Sequence, residues 1–271
     1  MRLASTLLAA ISLMTTASVV QAQEKVLNLY SARHYQTDEL LYSNFTKQTG
    51  IKINRIEADD NALFERLKNE GKNSPADVIV MVDAARIWRA EIEGFFQPVK
   101  SAVLSKRIPA NLHGKDDGQG PEWFGFSTRA RVIVYNKATV NPADVATYES
   151  LADPKNKGKV CTRSGSHPYN LSLIGSMIER DGEKATEQWA KGMVANFARP
   201  PRGGDTDQIK GVASGECGVA IANSYYYVRM LRSTKPEDIA AMKNVGFIWP
   251  NAKTSGCLLY TSPSPRDQRG S

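Results

Sequence analysis

Tyrosine side chains cluster where predicted strands give way to predicted helices. Residues 219–221 (VAI) are predicted to form a short buried strand, and Asn223 or Ser224 is suited to cap the following helix, because its side-chain oxygen can accept a free N–H group. Three consecutive tyrosines, residues 225–227, then fall in the first helical turn. Adjacent side chains on a helix point in different directions, so at least one hydroxyl is expected to project past the end of the strand.

The same placement recurs at two other junctions. Tyr35 follows the first predicted strand, and Tyr169 follows another at residues 159–162. In an open parallel sheet, ligands bind outside the carboxyl ends of the strands, where helix N-termini also point their free N–H groups. The sequence therefore predicts that Tyr35 and Tyr169 meet Tyr225 and Tyr226 at one site.

Four converging phenol oxygens suit a hard, highly charged cation. A phenol has a reference pKa of about 10 and ionises near neutral pH only beside a strong positive charge such as a metal ion. Fe(III) favours such anionic oxygen, whereas Zn(II) and Cu(I) favour nitrogen and sulfur. Two histidines, His34 and His167, lie in the same loops, and each is a nitrogen ligand, a hydrogen-bond partner of the ligands or a solvent-facing residue. We assign His113, in a loop rich in Gly and Asp, to solvent.

Strands and helices alternate along the chain. In the first half, strands are predicted at 26–30, 51–56 and 77–82, and helices at 38–48, 59–67 and 84–93. In the second half, strands are predicted at 129–135, 159–162 and 219–221, and helices at 171–180, 183–196 and 205–214. This alternation indicates an α/β fold with doubly wound parallel sheets. The apolar run at 77–82 is typical of a parallel strand covered on both faces.

The first 22 residues are predicted to be a signal peptide. Arg2 supplies the positive charge, residues 3–20 are largely apolar, and VQA at 20–22 fits a signal-peptidase site. A transmembrane anchor is the alternative, but Ser and Thr interrupt the apolar stretch, which is short for a span. We therefore expect an exported chain that is soluble after cleavage.

Net charge and cysteine content limit the partners and the cellular compartment that fit this chain. The formal net charge of +7 comes from interspersed residues, without a Lys/Arg run, which argues against a nucleic-acid partner. Cys161 ends a predicted strand and Cys217 begins another, so both can lie at the same edge of one sheet, and export permits a disulfide. We predict that these two cysteines pair; two buried free thiols are the alternative.

The C-terminal segment differs from the rest of the chain. Residues 256–271 lack periodicity and are rich in turn-forming residues. We interpret them as a non-native tail joined to a truncated reading frame, so that no function is expected there. A natural disordered tail is the alternative.

Four sequence strings resemble those of the periplasmic ferric-ion-binding proteins, the substrate-binding components of bacterial iron(III) ABC transporters. They are LYSARHY at 29–35, SPADV at 74–78, TRARVIVYN at 128–136 and ANSYYY at 222–227. The resemblance covers residues 25 to about 254, and the paired tyrosines are its most specific part.

The resemblance implies a two-lobed class II periplasmic binding protein, with a mostly parallel sheet flanked by helices in each lobe. Its domains are expected at 23–127 (N-lobe), 128–228 (C-lobe) and 229–255 (a truncated segment returning to the N-lobe). The implied function is capture of Fe(III) in the interlobe cleft by a periplasmic monomer, and delivery to an ABC permease in the inner membrane.

The resemblance also assigns residues to the site. The metal ligands that it implies are Tyr35, Tyr169, Tyr225, Tyr226 and, in some members only, His34. Arg129 and Arg131 match a basic pair near the cleft, where some members hold carbonate or a similar anion. Tyr227 matches an aromatic packing position.

Two other functions are weighed against iron capture. A binding protein for a phosphonate- or sulfate-type anion would use Arg129, Arg131 and helix N-termini, but four converging tyrosines are redundant for that role. A tyrosine-ligated ferric oxidoreductase is less favoured, because the sequence contains no HExxH, P-loop or GxGxxG motif and no Ser/His/Asp order. A fully ligated iron also has no open position for a substrate.

Overall fold

A computed structural model describes residues 25–33, 38–252 and 258–261 of the chain. The expected signal peptide, and the predicted ligands His34 and Tyr35, lie outside the described residues. Within these residues the chain forms two sheets, each flanked by helices. No helix of the described part is long and apolar enough to cross a membrane.

The first sheet contains three parallel strands in the order β2-β1-β3. These are β1 (Val26–Ser31), β2 (Lys52–Glu57) and β3 (Val78–Val80), followed respectively by helices α1 (Asp38–Thr49), α2 (Asp60–Glu70) and α3 (Ala84–Ile92). Asp59 caps α2, because its carboxylate accepts the N–H groups of Asn61 and Ala62. We call this sheet and its helices the first lobe.

The third strand departs from its predicted form. The apolar run at 77–82 was expected to be covered on both faces, but β3 is only three residues long and Val78 is 41% exposed. The strand order explains the difference, since β3 lies at the edge of the described sheet and pairs with β1 alone. The short helix α4 (Ala102–Arg107), capped by Ser101, was not predicted.

The second sheet has the order β5-β6-β4-β7. Its strands are β4 (Ser127–Asn136), β5 (Val160–Cys161), β6 (Val219–Asn223) and β7 (Val245–Ile248), and β8 (Leu258–Thr261) also pairs with β4. The flanking helices are α5 (Pro168–Asp181), α6 (Glu183–Ala195), α7 (Asp205–Ser214), α8 (Ser224–Leu231) and α9 (Pro236–Lys243). We call this sheet and its helices the second lobe.

The expected mostly parallel sheet is found in the first lobe and not in the second. Only β5 and β6 are parallel there, whereas β4 runs antiparallel to β6, β7 and β8. The directions of the strands explain this correction: β4 begins beside the tyrosines and runs away from them, while β6 must run towards them to place its following helix. The α/β class itself is confirmed.

Beyond residue 229, the described helix and strand before residue 252 lie beside elements of the second sheet: β7 pairs with β4, and α9 packs beside α7 and α8. Four residues of the expected non-native tail form β8, a strand that the sequence analysis did not predict. Backbone pairing along the first half of β4 thus extends the second sheet.

The predicted disulfide between Cys161 and Cys217 is confirmed. Our expectation that the end of one strand and the start of the other share an edge of the sheet is wrong, because β5 and β6 are parallel and such positions lie at opposite ends of a parallel pair. The two cysteines approach each other because β5 has only two residues, so that its end remains near the start of β6. Both side chains are fully buried.

Candidate metal centre

Helix α5 places Tyr169 at the cleft. His167 caps the helix, its Nδ1 atom accepting the Tyr169 N–H at 3.2 Å, and Pro168 occupies the first helical position. The helix therefore begins three residues before the predicted start at Leu171, and Tyr169 lies in its first turn. The side chain is 5% exposed.

Strand β6 runs directly into helix α8, whose first turn carries the three tyrosines as predicted. Asn223 is the residue at the cap position, but its side chain makes no capping hydrogen bond. Its Oδ1 atom instead accepts a hydrogen bond from Arg131 Nη1 at 3.2 Å. The strand-to-helix turn is thus held by a buried guanidinium group.

The phenol oxygens of Tyr169 and Tyr225 meet at a distance of 3.3 Å. Arg129 Nη1 lies 3.5 Å from both oxygens, so the three polar atoms form a nearly equilateral triangle. The Tyr226 ring packs beside the Tyr225 ring, with centroids 4.3 Å apart. Two helix starts that are far apart in the sequence therefore bring three of the predicted ligands together.

A cleft of about 860 Å³ lies beside this cluster. Its lining comes from both lobes and includes Arg33, Glu57, Asp59 and Asp60 from the first, and Arg163, His167, Tyr169, Tyr226 and Arg229 from the second. The first-lobe wall is thus mainly acidic and the second-lobe wall is basic and phenolic. Burial raises the pKa of Asp60 at this wall.

Arg129 is packed against the tyrosines. Its guanidinium carbon lies 4.1 Å from the centroid of the Tyr169 ring and 5.6 Å from that of Tyr225. Its Nη2 atom donates to the carbonyl oxygen of Val82 in the first lobe at 3.2 Å. This cation therefore contacts two predicted ligands and both lobes.

Arg131 lies in a buried polar environment. Its side chain is fully buried, and Nη1 forms an ion pair with Asp205 at 2.6 Å, while Nη2 donates to Asn170 Oδ1 at 2.8 Å. It lies beneath Tyr169, with its guanidinium carbon 5.8 Å from the ring centroid. The buried polar groups around it were missed in the sequence analysis.

One sequence signal indicates that Arg131 has a buried partner. The strand TRARVIVYN places an arginine within a run of buried apolar residues, and a buried charge requires a counter-charge. The sequence does not say which carboxylate supplies it, because Asp205 lies 74 residues away.

His167 is neutral near pH 7. Burial, together with the nearby positive charge of Arg163, lowers its pKa from 6.5 to about 4. Its ring meets the Tyr169 ring edge-on, with centroids 4.4 Å apart. These contacts fit a histidine that supports the predicted ligand Tyr169 and the start of its helix, which is one of the three roles considered for His167.

Tyr227 points away from the cluster, in agreement with its expected packing role. Its ring lies 4.9 Å from that of Phe247, and its hydroxyl approaches the Val245 carbonyl oxygen at 3.5 Å. Burial raises its pKa. Of the three adjacent tyrosines, two thus face the cleft region and one packs on β7.

The chemistry of the donors favours a trivalent cation. Within the described residues, no group of three or more His, Cys, Asp or Glu side chains could hold a metal ion. The converging donors are phenol oxygens, which Fe(III) favours over softer metals. His34 and Tyr35 lie outside the described residues, but their flanking residues Arg33 and Asp38 form a buried ion pair at 2.8 Å.

Sequence comparison places this chain in a known family. A profile of bacterial extracellular solute-binding proteins matches residues 41–264. The chain belongs to this family. Relatives of this solute-binding protein include Iron uptake protein A1 of Synechocystis, 51% identical over 240 residues, which are 89% of this chain and 66% of that protein. Iron uptake protein A2 of Synechocystis is 49% identical over 230 residues, with 85% and 64% covered. The chain thus spans slightly less than two thirds of the length of these relatives.

Solved structures give the same assignment of fold. The Trichodesmium protein IdiA (FutA), in complex with iron and citrate ligands, is 50% identical with a TM-score of 0.79, and the match covers 90% of this solute-binding chain and 78% of that chain. The ferric binding protein from Campylobacter jejuni is 39% identical with a TM-score of 0.80, covering 87% and 74%. These matches confirm the class II periplasmic binding protein fold and the resemblance to ferric-ion-binding proteins.

Proposed function

We propose that this solute-binding protein captures Fe(III) through tyrosine phenolates in the cleft between its two lobes. The observation that carries the proposal is the meeting of the Tyr169 and Tyr225 oxygens at 3.3 Å, with Tyr226 stacked beside them. Two oxygens at adjacent corners of an octahedral ion, with bonds of about 2 Å, are separated by about 3 Å. A small inward shift of the hydroxyls is enough to bind one ion.

Two residues complete the proposed ligand set. Tyr35 and His34 lie in the segment between Arg33 and Asp38, and Arg33 itself lines the cleft. A ligand from this segment would be contributed by the first lobe, whereas the other tyrosines belong to the second lobe. Binding of one iron ion therefore draws the two lobes together. Arg129 is the proposed partner for the negative charge of the phenolates or for a small anion such as carbonate, and Arg131 supports the site from below.

The names of the relatives support the same cargo. Two curated relatives are named as iron uptake proteins, and the solved neighbours include ferric binding proteins. We propose that the exported chain works as a monomer in the periplasm and passes iron to an ABC permease in the inner membrane. Its role is then transport, as is typical of the solute-binding family, rather than catalysis.

Removal of single phenol oxygens tests the proposed ligands. Loss of a group that only supports a metal ligand typically weakens metal binding by about 10–100-fold. Tyr225→Phe or Tyr226→Phe should weaken Fe(III) binding by more than this, because each variant loses a bond to the metal. Tyr227→Phe is the matched control, since it removes the same atom from the same helical turn and its ring packs on Phe247. Competition with a chelator measures the three affinities, and equal losses in all three variants would contradict the assignment.

An anion-binding protein is the second candidate, and the buried contacts weigh against it. Arg131 is fully buried and bound to Asp205, so presenting it to an anion would uncover a buried carboxylate. Arg129 lies over tyrosine rings whose hydroxyls an anion does not need. Binding of sulfate or a phosphonate, with no effect of added iron, would favour this candidate.

A further inference from the structure

Asp205 is a buried carboxylate at the first position of α7, outside the predicted ligand set. Its Oδ2 atom accepts from Arg131 Nη1 at 2.6 Å and from the backbone N–H of Asn223 at 2.7 Å. Its Oδ1 atom accepts from Arg163 Nη1 at 3.1 Å. One fully buried carboxylate therefore joins a strand of the sheet, the end of another strand and a cleft loop.

These contacts lead to both helices that carry the predicted ligands. Asn223, whose N–H is bound, lies at the end of β6, two residues before Tyr225. Arg131, held by the carboxylate, reaches in the opposite direction to Asn170 Oδ1 at 2.8 Å, and Asn170 directly follows Tyr169 in α5. A single chain of charged hydrogen bonds thus spans the two helix starts whose phenol oxygens meet.

Asp205 also balances the charges beneath Tyr169. Three guanidinium groups surround this ring, with their carbons 4.1 Å (Arg129), 4.9 Å (Arg163) and 5.8 Å (Arg131) from its centroid. Guanidinium groups gathered around one ring repel one another, and Asp205 forms ion pairs with two of the three. Without this carboxylate, Arg131 would remain buried with no counter-charge, and the guanidinium groups would be driven apart.

We propose that Asp205 is the positioning residue that fixes the start of α5 relative to the start of α8, so that the Tyr169 and Tyr225 oxygens meet around one ion. This role rests on the proposed function, because it concerns the same ligands. The carboxylate acts through Arg131 and Asn223 and does not itself contact the ion. Buried ion pairs are poor sources of net stability, but they can specify one arrangement of the groups around them.

The test compares Asp205→Asn with a matched control, Asn136→Ala. Asn136 is a buried polar residue at the far end of β4, where its Nδ2 atom donates to the Val212 carbonyl oxygen at 2.8 Å, away from the cleft. For both variants, a urea titration gives the stability, chelator competition gives the Fe(III) affinity, and the phenolate-to-iron charge-transfer absorbance per bound iron gives the phenolate coordination. Only the last two quantities report the position of the ligands.

Asp205→Asn is expected to lower the Fe(III) affinity by about 10–100-fold relative to the control and to reduce the charge-transfer absorbance per bound iron. The amide group of the new asparagine turns its N–H donors either towards Arg163 or towards the Asn223 N–H. In both orientations a donor faces a donor, so at least one helix start loses its anchor. If affinity and absorbance match those of Asn136→Ala at comparable stability, the positioning role is overturned.

A second variant keeps the proposal testable if Asp205→Asn does not fold. Asn170→Ala removes the link from Arg131 to α5, together with the hydrogen bonds that Asn170 Nδ2 donates to Thr162 Oγ1 and to the carbonyl oxygens of Arg163 and Ser164. It should reduce the same absorbance, and an unchanged spectrum would overturn the proposal. Failure of the proposed function is seen separately, as the absence of a coloured iron complex in the unaltered protein. In that case crystal structures decide: the Tyr169–Tyr225 oxygen separation should still widen in Asp205→Asn or Asn170→Ala, and an unchanged separation contradicts the inference.

Discussion

At the scale of single residues, the site depends on a cation placed among phenols. Arg129 Nη1 lies 3.5 Å from both the Tyr169 and Tyr225 oxygens, and its side chain is 9% exposed. The four phenolates of the proposed ligand set carry one negative charge more than Fe(III) neutralises. A buried guanidinium beside them therefore favours the iron complex over the protonated, iron-free site.

Arg129→Gln should weaken Fe(III) binding and make it more sensitive to acid. At an effective dielectric constant of about 20, the lost charge interaction corresponds to roughly tenfold or more in affinity. Protons compete with iron for phenolate, so binding falls as the pH falls, and loss of the cation should move the half-binding pH upwards. Iron titrations across the pH range measure this shift.

Arg202→Gln is the control for charge, because Arg202 is exposed and pairs with Glu216 away from the cleft. It should leave the half-binding pH unchanged. If Arg129→Gln and Arg202→Gln gave the same profile, the charge of Arg129 would have no role at the site.

At the scale of elements, the second sheet holds the helix starts that carry the proposed ligands Tyr169, Tyr225 and Tyr226. Residues 219–223 of β6 are fully buried, and β5 is joined to the turn before β6 by the Cys161–Cys217 disulfide. The bond closes a loop of 56 residues that contains α5, α6 and α7. It therefore restrains the unfolded chain over the region that supplies both Tyr169 and Asp205.

Cys161→Ala/Cys217→Ala should lower the free energy of unfolding by about 2–4 kcal/mol, since the unfolded chain gains the freedom of the opened loop. Urea unfolding of the double variant, compared with the oxidised and reduced unaltered protein, measures the loss. The reduced protein should resemble the double variant. An unchanged midpoint after reduction would show that the bond contributes no stability.

The sequence predicted where the strands of this sheet meet their helices better than it predicted the relative directions of the strands. The tyrosine positions followed from local signals, namely a short apolar strand, a capping residue and the start of a helical pattern. Antiparallel pairing of β4 with β6 depends on how two segments about 90 residues apart are oriented, and no local pattern carries that information. The partner of Arg131 was missed for the same reason.

At the scale of the whole molecule, direct contacts already link the lobes around the site. Ser172 Oγ, one turn after Tyr169 on α5, donates to Asp83 of the first lobe, with its two carboxylate oxygens at 2.9 and 3.0 Å. Arg129 reaches the neighbouring Val82 carbonyl oxygen. The cleft between the lobes thus has an acidic wall facing phenols and guanidinium groups.

The central claim is that one ferric ion is bound by phenolates from separate parts of this chain. Its most direct test is the visible absorption spectrum of the purified unaltered protein during titration with Fe(III), with metal analysis of the product. We expect one tightly bound iron per chain and an orange-to-red charge-transfer band that saturates at that ratio. A colourless protein at saturation, or iron that binds without this band, would contradict it.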